Sequence, residues 1–315
     1  MSVTVVGSIA YDAVKTPFGE RERMLGGAAT HFALAASFFD GVSVVGPVGE
    51  DFGDEELALL ATRGTDVSDV ERVEGGKTFF WKGEYGWDLN SRETLDTQLG
   101  VFEGFQPKLS AQARACDVLF LANIQPGLQL DVLDQCEAPR FTALDSMNLW
   151  IEIAREQLVA VIERVDCVIL NDAELRQLTG KPNLVTAARE VLAMGPKVVV
   201  GKQGEYGAAL ITEDGFFALP AYPLENVIDP TGAGDTFAGG FVGYVAQHVG
   251  EPLDDGLLRR AMAYGTAVAS YNVEQFGTER VARLAPEEVH ERVADIHALT
   301  QFEHRPVALV GESGR

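Results

Sequence analysis

The sequence predicts an α/β protein, in which a mostly parallel sheet is covered by helices on both faces as in a three-layer α/β/α sandwich, with a small additional β-sheet. Two observations predict this fold class. From residue 113 onward, short apolar runs of strand length alternate with segments of helical periodicity, as buried parallel strands and their connecting helices do. Between residues 70 and 105, polar residues alternate with Thr, Tyr, Trp and Phe, which is typical of an antiparallel ribbon.

The first half of the chain opens with an apolar strand at residues 3–6, which ends at Gly7. A helix of small residues is predicted over 28–38, and a strand of β-branched residues follows over 42–45. Residues 52–63 have leucines at helical spacing and predict the next helix. In the second half, the predicted strands are 118–122, 141–144, 167–170, 198–200 and 208–211. The predicted helices there are 149–165, 172–179, 184–193, 238–249, 257–272 and 286–298.

The composition of the 315-residue chain limits the classes of partner. Lys and Arg number 25 and Asp and Glu number 47, so the formal net charge is −22. Such a charge repels phosphate backbones and anionic lipids, and we expect binding neither to nucleic acid nor to a membrane. The N-terminal residues resemble a strand rather than a basic leader, and the longest uncharged stretch, 24–39, is too short to span a bilayer. We therefore expect a cytoplasmic protein whose 3 cysteines are reduced, buried thiols.

The segment 229–241, with the sequence DPTGAGDTFAGGF, carries the strongest chemical signal. Gly232, Ala233 and Gly234, here called the glycine cradle, are small residues that precede an amphipathic helix. Main-chain N–H groups turned to one side at the positive end of a helix dipole suit the charge of a phosphoryl group in transfer. Asp235 follows at the helix start. It is either an ordinary N-cap or a general base that takes the proton of an acceptor hydroxyl.

Two further glycines favour the functional interpretation of this segment. Gly239 and Gly240 fall inside the helix, where each costs about 1 kcal/mol relative to alanine. Capping does not explain them, so close packing or the approach of a ligand must compensate. Two competing motifs fail, because Gly76-Lys77-Thr78 lacks the rest of a P-loop and no GxGxxG follows the first strand. A nicotinamide enzyme is therefore disfavoured.

The same segment resembles the C-terminal signature of the ribokinase (PfkB) family of carbohydrate and nucleoside kinases. The resemblance extends over nearly the whole chain and implies a ribokinase-like fold and an ATP-dependent kinase that uses Mg²⁺. The other segments that are similar to family motifs are GSIAYD at 7–12, GGAATHFALAAS at 26–37, VVGPVGEDFGDE at 44–55, NDAE at 171–174, KQGEYG at 202–207 and ASYNVEQFG at 269–277.

The resemblance implies that Asp12, Gly26 and Gly27 bind the acceptor. Asp12 could be an ordinary turn residue, but a carboxylate at the carboxyl end of the first strand can accept two sugar hydroxyls. The glycines either enter a helix or let a sugar approach the main chain closely. His31 takes the place of an Asn of better-known sugar kinases, which leaves the identity of the acceptor open. It is either an acceptor contact or a buried residue of the helix.

Other residues are assigned by the resemblance to the nucleotide and its metals. Asn171 and Glu174 follow an apolar strand, and Glu174 is expected to hold Mg²⁺ through water, whereas Asn171 could simply cap a helix. Lys202 either reaches the ATP phosphates or is a solvated loop lysine. Asp229 is a candidate ligand for a monovalent cation, K⁺. The remaining implied nucleotide contacts are Gly204, Gly207, Thr231 and Asn272.

The resemblance also divides the chain into an α/β core, a small β lid that closes over the acceptor, and a C-terminal tail. The expected bounds are 1–12, 26–69 and 106–303 for the core, 13–25 and 70–105 for the lid, and 304–315 for the tail. In many relatives the lid pairs two subunits, so a homodimer through the lid is one expected arrangement.

The predicted function is ATP-dependent phosphorylation of a hydroxymethyl group on a sugar or sugar derivative. Asp235 acts as general base and the amides of the glycine cradle form the anion hole. A nucleoside kinase of the same family, adenosine-like in its acceptor, is the alternative with the same chemistry. A catalytically silent sugar or nucleotide sensor is the alternative from another class.

Overall fold

The computed structural model describes residues 2–305, and residues 306–315 of the predicted tail lie outside the described residues. Its strands are β1 (Ser2–Val6), β2 (Ala10–Thr16), β3 (Gly19–Gly26), β4 (Gly41–Gly49), β5 (Val70–Val73), β6 (Phe79–Tyr85), β7 (Arg92–Gln98), β8 (Val118–Leu121), β9 (Phe141–Leu144), β10 (Cys167–Asn171), β11 (Val198–Lys202), β12 (Ala208–Thr212) and β13 (Phe216–Leu219). Its helices are α1 (Ala28–Ala36), α2 (Asp54–Leu60), α3 (Ala111–Arg114), α4 (Pro126–Gln135), α5 (Asn148–Ile153), α6 (Arg155–Ile162), α7 (Asp172–Thr179), α8 (Leu184–Leu192), α9 (Ala233–Gln247), α10 (Asp255–Asn272), α11 (Glu279–Arg283) and α12 (Pro286–Thr300). Within this described range, none of the helices has both the length and the hydropathy needed to cross a bilayer.

The large sheet has the strand order β13-β12-β11-β10-β9-β8-β1-β4-β5. Its strands are parallel from β5 to β11, and only the last two pairs at the β13 edge are antiparallel. Alternate residues of a strand enter two different cores, as Val5 and Val6 of β1 do. Residues of α1, α9 and α10 line the first core, and residues of α4, α6, α7 and α8 line the second. The predicted three-layer arrangement is thus confirmed.

The small sheet has the strand order β3-β2-β6-β7, and its central strands β2 and β6 pair in parallel. Its extent corrects the predicted lid at two points. Residues 10–12, assigned to the core, belong to β2. Val70–Val73, assigned to the lid, pairs instead with the end of β4, residues 46–49, which extends beyond β1. The peptide groups along that end of β4 need hydrogen-bond partners, and β5 supplies them.

Several helix and strand boundaries differ from those predicted. The helix expected over 149–165 is divided into α5 and α6, because Ala154 between them has a non-helical φ of −139°. The helix α4, which begins with Pro126, and the half-exposed edge strand β13 were not predicted. The helix expected from residue 238 begins at Ala233, so that Asp235 lies in its first turn.

The glycines inside α9 are explained by packing. A β-carbon on Gly239 would overlap the carbonyl oxygen of Phe32 in α1. A β-carbon on Gly240 would lie 2.9 Å from Cα of Gly265 in α10. The main chains of α1 and α10 therefore pack directly against the main chain of α9. This close packing compensates for the low helix propensity of glycine.

Candidate active site

The candidate site lies at the carboxyl ends of the parallel strands, beside the N-terminus of α9. Asp145 directly follows β9, Asn171 ends β10 and Lys202 ends β11, so three polar side chains meet at one edge of the large sheet. The small sheet reaches the same edge, where the hydroxyl of Thr231 donates to the hydroxyl oxygen of Tyr85 on β6 at 3.3 Å. Open α/β sheets bind their ligands in this position.

The glycine cradle forms the entry to α9. Gly232 is the N-cap and has a left-handed φ of 72°, which glycine tolerates better than other residues. The ring of His31 fills the space that a β-carbon of residue 232 would need. The N–H of Ala233 donates to the carbonyl of Pro230 at 3.2 Å, so this amide of the predicted anion hole is already engaged. The N–H of Gly234 belongs to the first turn, where helix geometry supplies no carbonyl partner, and lies at the positive end of the helix dipole.

Asp235 lies in the first turn of α9. Burial and the negative charge of Asp145 raise the pKa of Asp235 to about 7, while the positive charges of Lys202 and Arg92 oppose the rise. Because Gly232 is the N-cap, Asp235 does not have the capping role that was its ordinary alternative. A carboxyl group that titrates near pH 7 is suited to accept a proton and release it again.

Lys202 forms a buried ion pair with Asp145. Its Nζ lies 2.6 Å from Oδ2 of Asp145, and a β-carbon on Gly234 would lie 3.1 Å from the same Nζ. Burial lowers the pKa of Lys202, but nearby carboxylates, Asp145 foremost, outweigh this effect and raise it. Lys202 is therefore a charged group beside the glycine cradle rather than a solvated loop lysine, and an ammonium group can stabilise phosphate oxygens there.

Asn171 and Glu174 form a capping box at the start of α7. Oδ1 of Asn171 accepts from the N–H of Glu174, and Oε2 of Glu174 accepts from the N–H of Asn171, both at 2.8 Å. The side chain of Asn171 thus has the capping role that was its alternative to nucleotide binding. Burial and the charge of Asp145 raise the pKa of Glu174 to about 7, and Lys202 opposes the rise.

Glu174 and Asp145 are the carboxylates that could hold a divalent ion. Among residues 2–305, no group of three or more His, Cys, Asp or Glu side chains is arranged to hold a metal. The raised pKa of Glu174 reflects its burial first and then the negative charge of Asp145, which Lys202 only partly compensates. Mg²⁺ usually binds one or two protein carboxylates, with water and phosphate oxygens as its other ligands. The pair therefore fits an Mg²⁺ ion that a nucleotide brings into the site.

Asp12 belongs to β2 of the small sheet and not, as predicted, to the end of the first strand. It is 5% exposed, and the N–H of Gly27 donates to its carboxylate. A β-carbon on Gly26 would overlap that carboxylate, so the close approach requires glycine. Burial, followed by the charges of Asp229 and Asp235, raises the pKa of Asp12 to about 7. The structure thus brings Asp12 and both predicted acceptor glycines together.

His31 and Asn272 are buried behind the cradle and hydrogen-bonded to each other, with Nδ1 of His31 3.1 Å from Oδ1 of Asn272. The amide of Asn272 also donates through Nδ2 to the carbonyl of Thr231 at 2.8 Å and accepts from Oγ1 of Thr236 at 3.0 Å. Because the amide nitrogen faces Thr231, its oxygen faces His31, and the proton of the neutral imidazole lies on Nδ1. Burial lowers the pKa of His31 to about 4.

Two predicted contact residues are buried. His31 was predicted as an acceptor contact and Asn272 as a nucleotide contact, and their side chains are 2% and 0% exposed. His31 is a buried residue of its helix, which was its alternative, and together with Asn272 it supports Thr231 and Gly232 from behind.

Asp229 ties two loops together and is fully buried. Its Oδ1 accepts from the N–H of Thr231 and its Oδ2 from the N–H of Gly277, each at 2.9 Å. Burial raises the pKa of Asp229. Since main-chain donors already engage both oxygens, this carboxylate fits a monovalent cation less well than the sequence suggested.

The predicted nucleotide turn, with Gly204 and Gly207, connects β11 to β12. It touches the small sheet, because Nδ2 of Asn90 donates to Oε1 of Glu205 at 2.9 Å. The connection between β6 and β7 therefore contacts the segment that the resemblance assigned to the nucleotide.

Two charged residues beside Asp235, Asp145 and Arg92, were not predicted from the sequence. Asp145 follows the predicted strand 141–144 in the same way as Asn171 follows its own strand, so a signal was present. Arg92 opens β7, and its positive charge lowers the pKa of Asp235 across the site. No local pattern marks Arg92, because its position depends on how the small sheet packs.

Comparison with known proteins identifies relatives of this chain. A family model described as pfkB family carbohydrate kinase matches residues 2–283. The cytidine kinase of Thermococcus kodakarensis is 30% identical over 260 residues, which cover 81% of this chain and 91% of the relative. The deoxyribokinase of Salmonella typhi is 26% identical over 272 residues, which cover 81% and 83%. The crystal structure of the Methanocaldococcus jannaschii nucleoside kinase, an archaeal member of the ribokinase family, matches with a TM-score of 0.75 at 21% identity and covers 93% of this chain and 98% of that chain.

These matches agree with the fold. The ribokinase-like fold and the family resemblance predicted from the sequence are confirmed. The chain belongs to the pfkB family of carbohydrate kinases and is a phosphotransferase with an alcohol group as acceptor.

Proposed function

We propose that the protein phosphorylates the hydroxymethyl group of a nucleoside at the expense of ATP, with Asp235 as general base. One observation carries the proposal: Asp235, whose pKa is raised to about 7, stands at the start of α9 within electrostatic range of both the ammonium of Lys202 and the carboxylate of Asp12. The cytidine kinase, as a relative at 30% identity, supports a nucleoside as the acceptor.

On the acceptor side, Asp12 binds hydroxyl groups of the sugar. A carboxylate accepts hydrogen bonds and can hold two neighbouring hydroxyls at once. The close approach of Gly26 to Asp12 leaves no side chain between the carboxylate and an incoming ribose. The hydroxyl to be phosphorylated is thereby directed toward Asp235, which removes its proton.

On the phosphate side, the ammonium group of Lys202 and the N–H of Gly234 stabilise the charge of the group in transfer. Both lie at the positive end of the α9 dipole, and the Nζ of Lys202 is beside residue 234. Mg²⁺ would supply charge neutralisation on the phosphates, and Glu174 with Asp145 would hold it through water.

The resemblance also implied a monovalent-cation site, a nucleotide turn and a homodimer. Asp229 fixes the loops of Thr231 and Gly277, and a K⁺ ion would have to use their carbonyl oxygens rather than this carboxylate. Gly204 and Gly207 shape the turn on which the nucleotide lies. Pairing of two copies through the small sheet stays a prediction.

The experiment is an ADP-release assay with the purified protein, ATP and Mg²⁺, over a panel of nucleosides and free sugars. We expect turnover with cytidine or another ribonucleoside. A free sugar such as deoxyribose is the second candidate, favoured by the deoxyribokinase relative, and turnover with sugars alone would replace the proposed acceptor. Binding of a nucleoside or sugar without ADP release would contradict the kinase mechanism and indicate a sensor.

A further inference from the structure

The small sheet presents one face to the active site. In the parallel pair β2–β6, Asp12 lies opposite Trp81, and paired residues project to the same face. Tyr85, four residues along β6, projects to that face too and bonds to Thr231. The face that carries Asp12, Trp81 and Tyr85 is called the inner face.

The aromatic residues of this region have different surroundings. Phe79 packs against Phe102, with ring centres 5.9 Å apart, and Phe80 packs against the main core. The side chain of Trp87 is 85% exposed in the turn after β6. Trp81 is the partly exposed aromatic residue of the inner face, next to the proposed acceptor carboxylate.

The indole of Trp81 lies flat on its own strand. A β-carbon on Gly83 would overlap the six-membered ring of the indole, so the glycine makes room for it. Nε1 of Trp81 donates to Oγ1 of Thr94 on β7 at 3.3 Å, which fixes the rotation of the ring. One face of the indole is thus covered by the sheet, and Asp12 is paired with Trp81 on the neighbouring strand.

A planar cation already lies over this ring. The guanidinium carbon of Arg92 is 5.4 Å from the ring centre, farther than the 3.8 Å between Arg23 and the ring of Tyr11 elsewhere in the small sheet. The ring thus already has a flat polar group over it, at the longer of the two distances. A nucleobase is such a group, and stacking on an aromatic side chain tolerates any base because every base has a π-face.

We propose that Trp81 is the platform on which the base of the nucleoside acceptor stacks while Asp12 holds its sugar. The inference rests on the proposed function, because a free sugar has no base to stack. Loss of one base–aromatic contact weakens binding by roughly ten- to a hundredfold. Trp81 is then a residue that selects nucleosides over free sugars.

The first test is steady-state kinetics with cytidine on Trp81→Leu, Trp81→Phe and the control Trp87→Leu. We expect Trp81→Leu to raise KM for cytidine about ten- to a hundredfold, with KM for ATP unchanged and kcat changed little. Trp81→Phe should retain most of the affinity, and Trp87→Leu all of it. Gly83→Ala keeps the tryptophan but displaces it, and should raise KM in the same direction in a protein whose circular dichroism is unchanged.

Direct binding separates this inference from the proposed function. Cytidine should quench tryptophan emission in the Trp87→Leu variant and not in the variant that also lacks Trp81. Turnover of cytidine with the same KM in wild type and Trp81→Leu would overturn the platform and leave the kinase proposal standing. Cytidine binding that depends on Trp81, in a protein that releases no ADP, would support the platform and contradict the kinase proposal. Absence of any cytidine binding to the wild type would overturn the platform.

Discussion

The imidazole of His31 lies against Gly232, in the space that a side chain at position 232 would occupy. The contact joins the first helix of the chain to the N-cap of α9, and the bond of His31 to Asn272 extends it to α10. The conformation of the glycine cradle is thus set by three helices at once.

Gly232→Ala should lower both stability and turnover. An L-residue in the left-handed region costs about 1–2 kcal/mol, and here the methyl group also overlaps His31. We expect a free energy of unfolding reduced by at least about 1 kcal/mol in urea titrations. Gly250→Ala is the matched control, since a β-carbon there would have no neighbour within 4 Å, and it should change neither quantity.

Asp235→Asn should reduce kcat by at least about a hundredfold, because a general base contributes roughly 10²–10⁴ in rate. The affinity for ATP, measured by calorimetry, should be nearly intact. The exposed Asp214→Asn is the control for loss of one negative charge. Near-normal turnover of the Asp235 variant would refute the assigned role.

The acid limb of the kcat/KM profile should have its midpoint near pH 7, where Asp235 titrates. Asp145 raises this pKa by its negative charge, so Asp145→Asn should move the limb to lower pH. Lys202 opposes the rise, so Lys202→Met should move it to higher pH. The midpoint is read separately from the height of the profile, and shifts of the same sign in both variants would contradict this electrostatic account.

Asp235→Asn should also stabilise the ligand-free protein at pH 8. The pKa of Asp235 is raised from 3.8 to about 7, so between these values the folded state binds more protons than the unfolded state. Stability is therefore lost as the pH rises through this range, and the amide variant escapes the loss. We expect a gain of at least about 1 kcal/mol at pH 8 and none below pH 4, by thermal unfolding. An equal difference at both pH values would speak against the linkage.

Much of the site was predictable, because the carboxyl end of a buried strand is where its apolar run stops at a polar residue. Lys202 and Asn171 each close an apolar run, and Asp235 opens a helix after two glycines. These are local patterns, and the structure places all three residues at one sheet edge. Asp145 also follows an apolar run, at residues 141–144, so the same pattern predicts it as a site residue.

The rest of the site depends on pairings that no local pattern contains. His31 and Asn272 are 241 positions apart in sequence, and only the packing of α1, α9 and α10 brings them together. The parallel pairing of Asp12 with Trp81 likewise joins distant segments, so the sequence could not show that Asp12 lies on the small sheet. The sequence left open whether His31 contacts the acceptor or is a buried residue of its helix, and in the structure it is 2% exposed.

The close seating of α9 against its neighbours at Gly239 and Gly240 has an evolutionary consequence. Any larger residue at these points would push the helix outward and carry Asp235, the proposed general base, with it. We therefore expect substitutions in this helix to be constrained during evolution, and a change of acceptor to arise in the small sheet instead.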